Sequence, residues 1–186
     1  MKATAANRPE NSQTIKLAGI SLPLTTSFDA NEQLDLNAFR ANIRKWNRSG
    51  ILSNVVLGST GERVHLDEHE YLRIVETART ETPASMSLIV GSGQQSTHAT
   101  INEIRGAARA GADAVLVLTP YFYRAAITQE TLIAHFRRVA DAAPIPVLLY
   151  SMPALTGIKI EPQTIARLAE HPNIIGVKDS SNDIAG

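Results

Sequence analysis

From residue 17 onward the chain alternates short apolar runs with stretches in which apolar residues recur at helical spacing. Residues 17–25 predict a first strand. Residues 35–48 predict a helix, because Leu36, Phe39, Ile43 and Trp46 fall on one face, and Gly50 ends it. The rhythm then repeats. Strands are predicted over 51–57, 87–90, 114–118, 146–150 and 174–178, with helices over 66–80, 97–110, 129–142 and 162–170. Tyr71, Leu72 and Val75 share a face of the second helix, and Gly111 stops the third. The strands are unbroken apolar runs, clearest in Val115-Leu116-Val117-Leu118 and Val147-Leu148-Leu149. Strands of that kind are buried on both faces, as in parallel α/β sheets. The pattern fits a doubly wound sheet or a TIM barrel. A complete barrel has eight strands and typically about 250 residues. With about six βα units in 186 residues, a barrel here is expected to be incomplete, lacking its C-terminal units.

Residues 1–16 are rich in Ala, Asn, Ser and Thr and carry no periodicity, so a mobile tail is expected there, followed by one domain over 17–186. No apolar segment follows Lys2, so a secretory signal is not expected. A cytoplasmic location follows; Lys2 and Arg8 leave a mitochondrial address open, and Glu10 counts against it. Charge is balanced, with 18 basic and 18 acidic residues, which argues against nucleic acid as the main partner. No apolar run approaches the roughly 18 residues that cross a membrane. There is no cysteine, so disulfides and thiolate metal sites are excluded.

Parallel α/β folds gather their chemistry at the C-terminal ends of the strands. Four such ends here carry functional residue types: Gly58-Ser59-Thr60-Gly61-Glu62, Gly91-Ser92-Gly93, Tyr150, and Lys178 followed by Asp179-Ser180-Ser181. Lys178 closes the run Ile174-Ile175-Gly176-Val177. Lysines are rarely buried, and burial favours the neutral amine, which can attack a ketone and form an iminium. The plainer reading is a strand-end lysine reaching for solvent. Tyr150 can act as a general acid or base, or simply plug a barrel mouth. Ser59 and Thr60, set between glycines, can hold a carboxylate, or only form a strand-to-helix turn. His65-Leu66-Asp67-Glu68-His69 matches a zinc pattern, but Asp67 with Glu70 reads better as a helix cap. Gly91-Ser92-Gly93-Gln94-Gln95-Ser96 lacks the third glycine of a dinucleotide fingerprint, and Ser96 reads better as a cap.

Taken together, these segments resemble the dihydrodipicolinate synthase and N-acetylneuraminate lyase family. The resemblance runs from about residue 19 to residue 186. It is carried by Gly58-Ser59-Thr60-Gly61-Glu62, Thr119-Pro120-Tyr121-Phe122-Tyr123, Tyr150-Ser151-Met152-Pro153, Thr156-Gly157 and Gly176-Val177-Lys178-Asp179, in family order. It implies a TIM barrel, a homo-oligomer (a tetramer in the family), a small 2-oxo acid as substrate, and catalysis without a metal or other cofactor. It implies Lys178 as the Schiff-base lysine, Tyr150 as the proton-shuttling tyrosine, and Ser59 and Thr60 as the pair that binds the substrate carboxylate. Leu155 stands where dihydrodipicolinate synthases carry a substrate-binding arginine. The stretches 91–97, 150–157 and 171–180 look most like 4-hydroxy-2-oxoglutarate aldolase, a lyase that gives pyruvate and glyoxylate. Synthase-like and 2-keto-3-deoxy sugar-acid aldolase activities are the alternatives, as is an inactive shortened barrel serving as an interaction protein. Phe122 stands where the family usually has a second tyrosine that reaches across a subunit interface.

Overall fold

The computed structural model describes Ile15 and residues 17–183. The tail expected over 1–16 therefore lies, Ile15 aside, outside the described residues. Six strands form one sheet: β1 (Ser21–Pro23), β2 (Ser53–Val56), β3 (Ser87–Ser92), β4 (Ala114–Leu118), β5 (Val147–Ser151) and β6 (Ile174–Asp179). Each strand pairs in parallel with the next in chain order. A doubly wound sheet reverses its strand order at a switch point. This one does not, so the order decides for the barrel, of which these strands form the first part.

The helices are α1 (Leu36–Trp46), α2 (Glu68–Glu81), α3 (Thr97–Arg109), α4 (Gln129–Ala142), α5 (Pro153–Thr156) and α6 (Pro162–Ala169). α1 lies beside α2, α2 beside α3, α3 beside α4, and α4 beside α6, so they make one outer layer. Strand side chains alternate between two cores, as the pleat requires. Leu88, Val90, Val115, Val117, Val147 and Leu149 join Phe39, Ile43, Ile74, Ile104, Phe136 and Leu168 from the helices. Val55, Ile89, Ala114, Leu116, Leu148 and Tyr150 build a separate cluster on the inner face, against which Ile15 packs. The unbroken apolar strands thus reflect burial on both sides.

Local chemistry sets the helix starts. The Asp67 side chain accepts from the Glu70 amide at 2.8 Å, and the Glu70 carboxylate accepts from the Asp67 amide at 3.0 Å. That capping box begins α2 and accounts for Asp67, one of the two acidic residues in the zinc-like pattern. Ser96 caps α3 by accepting from the Ala99 amide at 3.1 Å. α4 spans the residues expected.

Three departures are instructive. The first strand was expected over 17–25, but pairing covers only Ser21–Pro23, and the chain continues through a single bond from the Leu24 amide to the Val55 carbonyl at 2.9 Å. Trp46 has the helical spacing of a core residue, yet it is 41% exposed at the last turn of α1. One-turn 3-10 helices at Ser59–Gly61, Arg63–His65 and Arg124–Ala126, and the short α5, occupy segments read as loops. A register shift between Val147 and Leu148 sets Ile174 opposite Val147 but Gly176 opposite Leu148. The irregularity turns Gly176 and Lys178 to the inner side, in line with Leu148 and Tyr150.

Candidate active site

The turn after β2 is held in an uncommon backbone conformation. Leu57 and Glu62, on either side of Ser59–Gly61, have φ of 60° and 56°. Non-glycine residues rarely adopt this left-handed region, and the surroundings must enforce it. Two contacts do so. The Thr26 hydroxyl donates to the Gly61 carbonyl at 2.6 Å. The Leu57 carbonyl presses onto β3 at Gly91, where a Cβ would stand only 2.0 Å from the Leu57 oxygen and 2.8 Å from the Gly58 nitrogen. Gly91 is therefore a matter of space, and it lets the turn fold down over the strand ends.

That turn brings Ser59 to Tyr150. Their hydroxyl oxygens lie 3.1 Å apart, across 91 residues of chain. Register pairing of β5 with β6 sets Lys178 beside Tyr150, and its Nζ lies 4.3 Å from the centre of the tyrosine ring. Tyr150 is only 3% exposed. Burial pushes its phenol up. The hydrogen bond with Ser59, the charge of Lys178, and hydrogen bonds with Ser180 and Lys178 outweigh burial and bring it below its ordinary 10.0. A buried phenol with that bias can hand a proton over more readily than a free one.

The structure thus joins three of the four residues singled out in the sequence. Thr60 sits on the same turn and is exposed like Ser59, but among the described residues no hydrogen bond links it to Tyr150 or Lys178. Ser180 was not anticipated as a partner of Tyr150; the signal was its place two residues beyond the lysine. Gly91 stood out in the sequence only as part of a strand end; its spacing role had no signal, because it depends on where the Leu57 carbonyl lands.

Beside this cluster opens a cleft of about 370 Å³, walled by Ser59, Tyr150, Leu116, Leu118, Tyr121 and Leu155 among others. Two basic side chains on its wall are engaged. Arg63 forms an ion pair with the nearly buried Glu103, donates to the Leu66 carbonyl at 2.9 Å, and lies 4.5 Å from the centre of the Tyr71 ring. His65 is paired with Glu62 at 3.1 Å. Glu103 also accepts from the Gly93 amide at 2.9 Å and the Gln94 amide group at 2.8 Å, so one carboxylate ties α3 to the loop after β3. Among the described residues no group of three or more His, Asp or Glu is placed to hold a metal ion. No helix among them is long and apolar enough to cross a membrane.

The model of the dihydrodipicolinate synthetase family matches residues 16–186. A protein of Emericella nidulans named "Probable 4-hydroxy-2-oxoglutarate aldolase, mitochondrial" is 41% identical over 178 residues, which is 93% of this chain and 56% of that protein. A 4-hydroxy-tetrahydrodipicolinate synthase of an Exiguobacterium species is 37% identical over 167 residues, covering 90% and 56%. Among solved structures, a dihydrodipicolinate synthase of Bacillus anthracis superposes with a TM-score of 0.84 at 30% identity, over 89% of this chain and 56% of that one. A prophage protein of E. coli K12 from the dihydrodipicolinic acid synthase family, solved with pyruvate, gives 0.82 at 35%, over 87% and 54%. The chain spans about half the length of the relatives it matches.

Proposed function

This chain belongs to the dihydrodipicolinate synthetase family, and we propose on that premise that its chemistry is the Schiff-base cleavage of a 2-oxo acid, such as 4-hydroxy-2-oxoglutarate, to pyruvate and an aldehyde. The observation that carries the proposal is the stacking of the Lys178 amine on the Tyr150 ring, whose hydroxyl meets Ser59.

In this reading the neutral amine of Lys178 attacks the C2 ketone. The carbinolamine loses water, its oxygen leaving with a proton passed through Tyr150, and an iminium remains. Ser59 and Thr60 hold the C1 carboxylate. Thr60, on the same turn, would do so through its backbone N–H or hydroxyl. Tyr150 then takes the proton from the C4 hydroxyl as the C3–C4 bond breaks, and the bonding electrons run into the iminium to give an enamine. The aldehyde leaves, C3 is protonated, and water releases pyruvate and the free amine. No cofactor is needed for these steps.

The aldolase branch rests on Leu155, which is 65% exposed on the cleft wall and brings no charge where the synthases carry an arginine. A condensing synthase remains the second reading, because several relatives bear that name. The test is a paired assay: glyoxylate release from 4-hydroxy-2-oxoglutarate against pyruvate consumption with an amino-aldehyde acceptor. Release without consumption supports the aldolase; consumption without release overturns it. Neither activity, in a cooperatively folded sample, would leave the third reading, an inactive partial barrel.

A homo-oligomer is part of the proposal. Phe122 and Tyr123 are 69% and 75% exposed and meet edge to face, with ring centres 5.0 Å apart, in the loop after β4. An exposed aromatic pair fits a loop that docks on a second copy. The compartment is proposed as cytoplasmic; the Emericella nidulans protein named as mitochondrial supports the other address.

A further inference from the structure

A substrate such as 4-hydroxy-2-oxoglutarate has a carboxylate at each end. Ser59 and Thr60 can account for the one beside the ketone. The one at the far end needs a cation, and Leu155 does not provide it. Of the basic side chains at the cleft, Arg63 is neutralised by Glu103, His65 is paired with Glu62, and Lys178 is committed to the ketone.

Arg124 is different. It begins the one-turn helix Arg124–Ala126, three residues after Tyr121, a cleft-wall residue. Its side chain crosses to the segment after β5 and lies against Gly157. A Cβ there would stand 2.9 Å from the Arg124 Cδ and 3.0 Å from its Nη1. Gly157 directly follows Leu155 and Thr156, both on the cleft wall. The guanidinium therefore bridges two segments of the cleft's rim. Among the described residues the Arg124 side chain forms no ion pair or hydrogen bond, whereas Arg40, Arg44, Arg63 and Arg79 are each ion-paired. Gly157 is also at φ 70°, so a side chain there would both strain the turn and displace the guanidinium.

From this placement we infer that Arg124 binds the distal carboxylate of a dicarboxylic 2-oxo acid and so sets the substrate class of the cleft. A planar guanidinium can take a carboxylate through two parallel hydrogen bonds. The inference rests on the Schiff-base reading and deepens it: the same lysine would take short 2-oxo acids, and Arg124 would select those with a second charge.

The experiment is borohydride trapping on the full chain with two five-carbon 2-oxo acids. One is 2-oxoglutarate; the other is 2-oxopentanoate, which has a methyl group in place of the distal carboxylate. The expected result is half-saturation by 2-oxoglutarate at about tenfold lower concentration. In Arg124→Met that ratio falls to about one, and in Arg124→Lys part of it returns. The ratio is its own folding control, because a damaged protein loses both acids in parallel. A wild-type ratio of one, or a ratio that survives in Arg124→Met, overturns the role of Arg124 and leaves the Schiff base standing. Absence of any adduct with either acid or with pyruvate overturns the Schiff-base reading itself, and this inference with it.

Discussion

The carbonyl oxygen of Leu57 occupies the space that a side chain on Gly91 would need, 2.0 Å from the position of its Cβ. Two strands are thereby locked at the level of the site, and the turn that delivers Ser59 to Tyr150 is fixed by a residue that touches neither. Gly91→Ala should push that turn outward. Overpacking of this kind costs about 1–3 kcal/mol. The expected outcome is a lower Tm together with slower trapping of pyruvate. A Gly91→Ala protein with unchanged Tm and trapping would show that the turn can move aside freely.

Ser59 is one of the groups that lower the Tyr150 phenol against the upward push of burial. Its removal in Ser59→Ala leaves burial less opposed, so the phenol should rise. Tyrosine-labelled NMR across an alkaline titration reads this directly. Iminium formation should slow by about tenfold, the worth of one hydrogen bond at ~1.4 kcal/mol. A downward shift would contradict the assignment of the hydrogen bond.

His135, on the buried side of α4, is held neutral. Its Nδ1 meets the Thr97 hydroxyl at 2.9 Å, and its Nε2 has no hydrogen-bond partner among the described residues. Burial pulls its pKa down to about 4 from 6.5. The unfolded chain therefore takes up the proton first as pH falls. The stabilising contribution is present above pH 6.5 and is lost progressively toward pH 4, amounting to about 3 kcal/mol at most. Denaturant unfolding between pH 7.5 and 4.5 should show that loss, and His135→Leu should flatten the curve. An unchanged slope in the variant would place the pH dependence elsewhere.

Glu103 joins Arg63, the Gly93 amide and the Gln94 side chain. With side-chain exposures of 13% and 6%, the Arg63–Glu103 pair is nearly out of water. Removing one member leaves a buried charge alone, which typically costs about 3–5 kcal/mol. Glu103→Ala is expected to lose that much by denaturant unfolding, while the exposed Arg137–Glu170 pair should lose well under 1 kcal/mol in Glu170→Ala. Equal effects at the two sites would argue that Glu103 acts through packing alone.

Much of this was legible in the sequence, for identifiable reasons. Long elements with strong periodicity, such as α4, came through residue for residue, because propensity, caps and burial agree there. Asp67 and Ser96 were recognisable as caps because capping is chemistry within four residues. Lys178 and Tyr150 were visible as polar ends of apolar strands. What the chain hides is contact at a distance. The first strand is short because only Ser21–Pro23 finds a partner in β2. Trp46 has core spacing, but as the last residue of α1 it stays 41% exposed. Gly91 looks like any glycine until the Leu57 carbonyl is placed on it, and Arg124 looks like a loop arginine until Gly157 is found beneath it.

The central claim is tested most directly by treating the folded chain with pyruvate and borohydride and mapping the adduct by peptide mass spectrometry. One stable addition is expected, on Lys178, and it should vanish in Lys178→Ala while thermal unfolding of the variant stays cooperative. No addition to a folded sample, or an addition that persists in Lys178→Ala, would contradict the account.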